Sequence, residues 1–459
     1  MSKKNGYMTS GGERFSYGLY FVGQNIFYIF IYLYISTYLL DQGISAYAVT
    51  AALLVVKIWD AVNDPIFGGI VDRVKFKKGK FLPWLRISLI FIPITTVLMF
   101  AIPSGIPNGA KIAWAIISYM LWDTAYTICD VPIFGIITTM TDNQQERTSL
   151  MSIGRVAAML ASMIVYMGVP AIREAIGGWL PTIILLSAIA LITMIPICVK
   201  AKERIAPSAD GEEEAGIGQM LKCIAKNRYL LIFYLALFIG YSANIASTMG
   251  LIFARECLGD EQMQSIISIA SFIPSIIMGI LIPTLVKKVD KFKLYFMSIV
   301  ASGVLGIIQY FVGYQNFAVF MVLNFLRGIP AGIWTMTMYM FTPDCAEYGH
   351  YKTGVNATGI TFATQTFAVK LMTAVSTALG TFCLGLIGYA EGEGAIQAAD
   401  FAGKLWGIYT LVPAIGLLIT IPLLLMYKLT DKDVSIMARC NAGEISRDEA
   451  EKLISKNIK

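Results

Sequence analysis

The sequence predicts an all-α membrane protein of twelve transmembrane helices in two six-helix halves. Three observations predict it. Charged residues make up 14% of the 459-residue chain, hydrophobic residues 56%, and mean hydropathy is +0.66; soluble proteins carry about 25% charged residues. Apolar runs recur at the length of a spanning helix, roughly 17–25 residues. Basic residues also alternate loop by loop, as retention of lysine and arginine on the cytoplasmic side requires.

The spans are read near 16–40, 47–71, 82–102, 111–139, 150–172 and 179–199, then 229–254, 263–286, 293–313, 318–341, 355–389 and 405–427. Several exceed what a bilayer needs, which implies tilt or helical extensions. The expected organisation is a first half over 1–199, a polar linker over 200–228, a second half over 229–427 and a polar tail over 428–459. In the tail, Ser446 followed three residues later by Glu449 predicts an N-cap and a short amphipathic helix. The segment MSKKNGYMTSGGERFS lacks the apolar core and cleavage site of a signal peptide. The first span is therefore expected to act as its own insertion signal.

Basic loops follow the second span (Arg73, Lys75, Lys77, Lys78, Lys80, Arg86), the sixth (Lys200, Lys202, Arg204, Lys222, Lys226, Arg228) and the eighth (Lys287, Lys288, Lys291, Lys293). The alternate loops hold little beyond Lys111, Arg173, Arg255 and Lys404. Both termini and the linker are thus expected in the cytoplasm, with the chain in the cell membrane. The net charge of +6 has the same origin, so no nucleic-acid partner is implied. The seven cysteines are scattered and His350 is the only histidine, so no disulfide framework or metal cluster is indicated. No P-loop, nucleophile elbow or zinc motif stands in context. The chain is not read as an enzyme, and no cofactor is expected.

The stretch KIWDAVNDP interrupts the second span. Asp60, Asn63 and Asp64 are spaced three and four apart and share one helical face. Each Asp at mid-membrane costs roughly 2.5–3.5 kcal/mol if it faces lipid, so the face must turn inward. Three oxygen donors there suit a hard monovalent cation, or a proton taken by one carboxylate. Lys57 also allows an internal pair with Asp60, but one lysine cannot neutralise two acids. Asp130, with Thr127 before it and a helix-disturbing Pro132 after it, is a second intramembrane acid. Arg155 either reaches for the interface or pairs with Asp130. Lys370, with Thr366 one turn before it, needs an acid partner, for which the acids of the first half are candidates. Gln24 and Asn25 sit at mid-depth in a tyrosine-rich first span. Amides and rings suit sugar hydroxyls and ring faces, and they also serve helix packing. Trp334 is a further aromatic candidate in the second half.

KIWDAVNDPIFGGIVDRVKFKKGKFLPW, YTICDVPIFG and PDCAEYGHYKTG resemble the glycoside–pentoside–hexuronide:cation symporters, the melibiose permease branch of the major facilitator superfamily, over Tyr17 to about Thr430. The resemblance implies a major facilitator fold and a sodium site at Asp60, Asn63, Asp64 and Thr127, with proton or lithium use open. It implies sugar contacts from Asp130 and Arg155, and a link between halves through Lys370 and Thr366. Where the permease has Lys-Asp in its first helix this chain has Gln24–Asn25, and where it has Trp this chain has Phe134. Stacking at Phe134 survives, but a charge and an indole donor are lost. That weakens the match to melibiose itself and admits an anionic hexuronide.

The reading is a cation-coupled importer of a glycoside, pentoside or short oligosaccharide by alternating access, functional as a monomer among membrane lipids. The rivals are a proton-coupled glucuronide carrier, a lipid-type carrier and a non-transporting sugar sensor. The basic loop Arg73–Lys80 and the acidic segment Asp344–Glu347 are expected to meet on the cytoplasmic side as a gate.

Overall fold

A computed structural model describes residues 8–74, 76, 79–205, 225–355 and 358–455. Within helices the side chains of some residues, Asp64 and Thr366 among them, lie outside the description. The first six helices are α1 (Gly11–Asp41), α2 (Ala46–Arg73), α3 (Leu82–Met99), α4 (Asn108–Met140), α5 (Gln144–Ile176) and α6 (Trp179–Lys200). Beyond the linker come α7 (Arg228–Ser242), α8 (Ala246–Leu258), α9 (Met263–Leu285), α10 (Lys291–Val312) and α11 (Phe317–Thr337). A 3-10 turn over Met338–Met340 leads into α12 (Phe341–Thr353), followed by α13 (Thr358–Leu386), α14 (Phe401–Ile419), α15 (Ile421–Leu425), α16 (Asp431–Asn441) and α17 (Arg447–Leu453). Among the described residues, eleven helices or runs of joined helices are long and apolar enough to cross a membrane. The twelfth expected span is α2, 28 residues long, which carries Lys57, Asp60 and Asp64.

Local chemistry sets the ends of these helices. Ser10 and Glu13 close a capping box at the start of α1. Gly177 and Gly178 take φ of 70° and 104° in the turn between α5 and α6, a region that only glycine enters at low cost. Asp290 caps α10, and Ser446 accepts from the Glu449 N–H at the start of α17, as its spacing predicts. The N-cap of α3, Phe81, has no side chain able to cap. Glu203, at the start of the linker, does it from outside, accepting the N–H groups of Lys80, Phe81 and Leu82 at 2.8, 2.9 and 2.7 Å. Glu146 similarly accepts the N–H groups of Met8 and Thr9, both at 2.9 Å, and the Thr141 hydroxyl at 2.6 Å. Burial works against the Glu146 charge, but the hydrogen bonds from Thr141 and Thr9 and the two amides outweigh it and hold the carboxyl below its usual range.

The chain forms two compact units. The first comprises Met1–Asp210, Thr248–Ser265 and Thr381–Phe401; the second comprises Gly211–Ser247, Ile266–Gly380 and Ala402–Lys459. In the first, α1 packs on α5 and α6, α3 on α4 and α6, and α2 on α4. In the second, α10 packs on α11, and α16 of the tail packs on α12. Gly328 and Gly332 of α11 let its backbone approach α9. A Cβ on Gly332 would stand 2.6 Å from the Cα of Ser275, and Ser275 Oγ donates to the Gly328 carbonyl at 2.9 Å.

Two parts of the span reading change. The seventh span, expected as one helix over 229–254, is two, broken at Ala243–Ile245. The segment PDCAEYGHYKTG, read as a polar connection, is helical as α12 up to Gly354, whose φ of 72° ends the helix. Its acids find partners inside the second unit. Asp344 pairs with Lys291 at 2.6 Å, Lys291 pairs with Asp431 at 3.0 Å, and Glu347 accepts from Asn441 at 2.8 Å.

Candidate functional site

The candidate site is built on α1, α2 and α4. Helices α2 and α4 are joined by two polar rungs one turn apart. The Trp59 indole N–H donates to Thr124 Oγ1 at 3.2 Å, and Asn63 Nδ2 donates to Thr127 Oγ1 at 2.9 Å. Thr127 in turn donates to the Asp123 carbonyl at 3.0 Å, so its lone pairs face α2. Asp60, one turn before Asn63 on the same face, is 7% exposed and bonded to Lys57 Nζ at 3.3 Å. Lys57 thus belongs to this polar group through its pair with Asp60, and Asp123, one turn before Thr127 on α4, is buried as well. Of the expected cation ligands, Asn63 and Thr127 touch, and Asp60 shares their face. The side chain of Asp64 lies outside the described residues.

On α1, Gln24 and Asn25 separate in role. Gln24 is 1% exposed and donates to Asp130 Oδ1 at 2.6 Å and to the Tyr126 hydroxyl at 3.2 Å. Its own carbonyl oxygen is buried with no hydrogen-bond partner. Asn25, the residue in the position expected to meet sugar hydroxyls, instead turns its amide back onto the Phe21 carbonyl at 2.8 Å. Phe134 is half exposed, with its ring edge-on to Phe21 at 5.3 Å. Helix α4 runs unbroken through Pro132, which lacks the N–H that would bond the Ile128 carbonyl.

The remaining candidates are dispersed. Arg155 on α5 is exposed. Trp334 on α11 is buried in the aromatic core of the second unit, edge-on to Tyr241, and so packs rather than offers an open face. Lys370 lies half-buried on α13, and the side chain of Thr366 is outside the described residues. Three residues were not anticipated: Tyr28, Trp122 and Tyr126. Trp122 and Tyr126 stack at 5.2 Å with a 22° tilt, and Tyr28 lies 5.4 Å from Tyr126. The signal for the α4 pair was present in the sequence, since Tyr119, Trp122 and Tyr126 recur at helical spacing and form one aromatic stripe beside Asp130.

A buried polar seam between spanning helices, bordered by an aromatic stripe, is the makeup of a membrane carrier. Residues 16–431 match the family model described as MFS/sugar transport protein, and the chain belongs to that family. It is an integral membrane protein of the major facilitator fold. Among its relatives, it is 28% identical over 429 residues to the uncharacterized symporter YjmB of Bacillus subtilis (strain 168), covering 92% of this chain and 93% of that one. It is 26% identical over 425 residues to the glucuronide carrier protein homolog of Escherichia coli (strain K12), covering 91% and 92%. The fold is similar to the crystal structure of nucleoside transporter NupG, with a TM-score of 0.64, 14% identity, and coverage of 92% and 100%.

Proposed function

We propose that the protein is a cation-coupled symporter that carries a glycoside, pentoside or short oligosaccharide across the cell membrane by alternating access, with both termini in the cytoplasm. The observation that carries this reading is the α2–α4 seam. Asn63 bonded to Thr127, with Asp60 on the same face, gathers carboxylate, amide and hydroxyl oxygens of two helices at one buried place. Hard oxygen donors suit a sodium ion, and Lys57, 3.3 Å from Asp60, stands at the edge of the same group. Asp64, four residues beyond Asp60 in the sequence, is assigned to the same cation site by that spacing.

The sugar site is assigned to the adjoining group. Gln24 clamps Asp130 and keeps a buried carbonyl oxygen to accept from a hydroxyl. Tyr126 and Tyr28 supply ring faces, Phe134 an exposed edge, and Arg155 an exposed cation. Asn25 acts by holding α1, and Trp334 by packing the second unit. Lys370 and Thr366 are assigned to coupling between the halves. Cation binding between α2 and α4 fixes α4, which also carries Tyr126 and Asp130, so cation and sugar tighten each other by the same factor.

The test is uptake into proteoliposomes of a labelled panel of neutral glycosides and a glucuronide, with and without a sodium gradient, for the wild type and Asp60→Asn. Sodium-driven uptake that Asp60→Asn abolishes supports the reading. Uptake that ignores sodium but follows a pH gradient replaces sodium with a proton. Uptake indifferent to both gradients and to the substitution overturns the coupling site.

A further inference from the structure

The loops poor in basic residues still carry Arg173 and Arg255, and in the structure these two meet. Arg255 Nη1 lies 2.8 Å from Asp41 Oδ1, and its Nε lies 2.9 Å from Glu261. Arg173 Nη2 lies 3.4 Å from Asp41 and 3.1 Å from Glu393, while its Nη1 also pairs with Glu261. The Asp41 carboxylate is fully buried, takes the Trp179 indole N–H at 2.9 Å, and Arg173 stacks on that indole at 4.3 Å. Three acids and two arginines thus interlock at the end of the helices that bears the charge-poor loops. Backbone bonds join the same place: Gly392 N–H to the Leu40 carbonyl at 2.9 Å and Glu393 N–H to the Asp41 carbonyl at 3.0 Å.

Asp41 and Arg173 belong to the first half of the chain. Arg255, Glu261 and Glu393 belong to the second. Their segments, Thr248–Ser265 and Thr381–Phe401, pack within the first unit although the residues flanking them along the same helices belong to the second. α13 changes unit between Gly380 and Thr381, in mid-helix. A permanent joint has no need of a buried ion pair such as Asp41 with Arg173, since taking charges out of water is costly and apolar side chains hold as well. A joint that must part has that need. When water enters, each charge regains its hydration, whereas a parted apolar joint exposes surface with no such return.

We propose that Asp41, Arg173, Arg255, Glu261 and Glu393 form a latch that closes the charge-poor end of the transport path and must part for that end to open. The proposal rests on the alternating-access reading above, and its test separates the two. An ideal Cβ on Gly385 lies 3.3 Å from the Cβ of Ala46, close to the roughly 3.5–4.5 Å of a disulfide, and 3.0 Å from the exposed Tyr47 ring, which has to swing aside to admit the pair. Ala46→Cys with Gly385→Cys therefore places a reducible staple beside the latch. Oxidation, followed by mass spectrometry of the linked peptides, is expected to lower uptake at least tenfold, and reductant to restore it. The wild type under the same oxidant is expected to be unaffected. A fully linked protein that transports at the reduced rate overturns the latch.

The second readout needs no transport. In the cysteine-pair protein, Asp41→Asn and Arg255→Gln are each expected to lower the linked fraction several-fold at a fixed oxidation time. Glu393→Gln, at a carboxylate about two-thirds exposed, is the variant safest for folding and is expected to act in the same direction. Linked fractions equal to the parent in all three overturn the latch. If the reduced parent moves no glycoside at all, the transport reading fails while the linking yields still decide the latch.

Discussion

Thr127→Val keeps the shape of the side chain and removes its hydroxyl, which makes it a sharp probe of the α2–α4 seam. In the wild type that hydroxyl accepts from Asn63 at 2.9 Å and is oriented by donation to the Asp123 carbonyl. The substitution deletes one oxygen donor and strands a buried amide N–H, at a cost of about 1–3 kcal/mol. At 1.4 kcal/mol per tenfold, this is roughly a 5- to 150-fold rise in the sodium concentration for half-maximal effect. Part of the penalty falls on the fold in either ligation state, so the readout must be a sodium-dependent difference. Sodium-stimulated uptake and the sodium-induced rise in melting temperature in detergent both qualify. Thr127→Ser retains the hydroxyl and is expected within about threefold of wild type, losing only a methyl group. A Val variant whose half-maximal sodium concentration lies within twofold of wild type would refute the assignment of Thr127 as a ligand.

Gln24→Leu removes the charge-assisted bond to Asp130, worth about 1.5–3 kcal/mol. It is expected to raise the half-saturating sugar concentration ten- to a hundredfold while sodium binding without sugar stays near wild type; equal losses in both would reassign Gln24 to packing. Gly332→Leu places a branched side chain where even a Cβ meets the Ser275 backbone, and overpacking of this kind costs about 1–3 kcal/mol or more. Its melting temperature should fall well below that of Gly403→Leu, where no atom lies within 4 Å. Glu146 is held below its ordinary value of 4.5, so its contribution is present above that value and is lost as pH falls through the lower, folded value. Between pH 7 and about 5 the N-terminal attachment should therefore be constant, loosening only in stronger acid; Glu146→Gln should remove the acid-dependent step, as read by proteolysis near Thr9.

The spans were legible because membrane helices are set by runs of apolar residues, a property local in sequence. The break at Ala243–Ile245 was not, since that stretch contains no proline or glycine to mark it. Helix α12 was hidden for a different reason. Its Asp344 is neutralised by Lys291, 53 residues away along the chain, and no window on the sequence sees that partner. In the site, spacing placed Asp60 and Asn63 on one face, as found. Spacing did not decide between neighbours: Gln24 reaches Asp130 whereas Asn25 folds back on its own helix, because adjacent residues on a helix point about 100° apart and only tertiary partners fix which one serves. The latch was unreadable because its five members come from four separate stretches, and the sparse charges of those loops told only of topology.

The cap that Glu203 places on α3 has a consequence for biosynthesis. The amide groups of Lys80, Phe81 and Leu82 leave the ribosome more than 120 residues before the carboxylate that satisfies them, Lys80 preceding Glu203 by 123. The nascent third helix must wait for the sixth to be threaded before its entry is secured. The wait is longer for the unit as a whole, since the body that holds residue 8 is completed only by residues up to Phe401. Domains generally fold in order of synthesis. Here the body that begins first is completed only by segments of the second half of the chain, and truncated chains ending after the sixth helix will lack those segments.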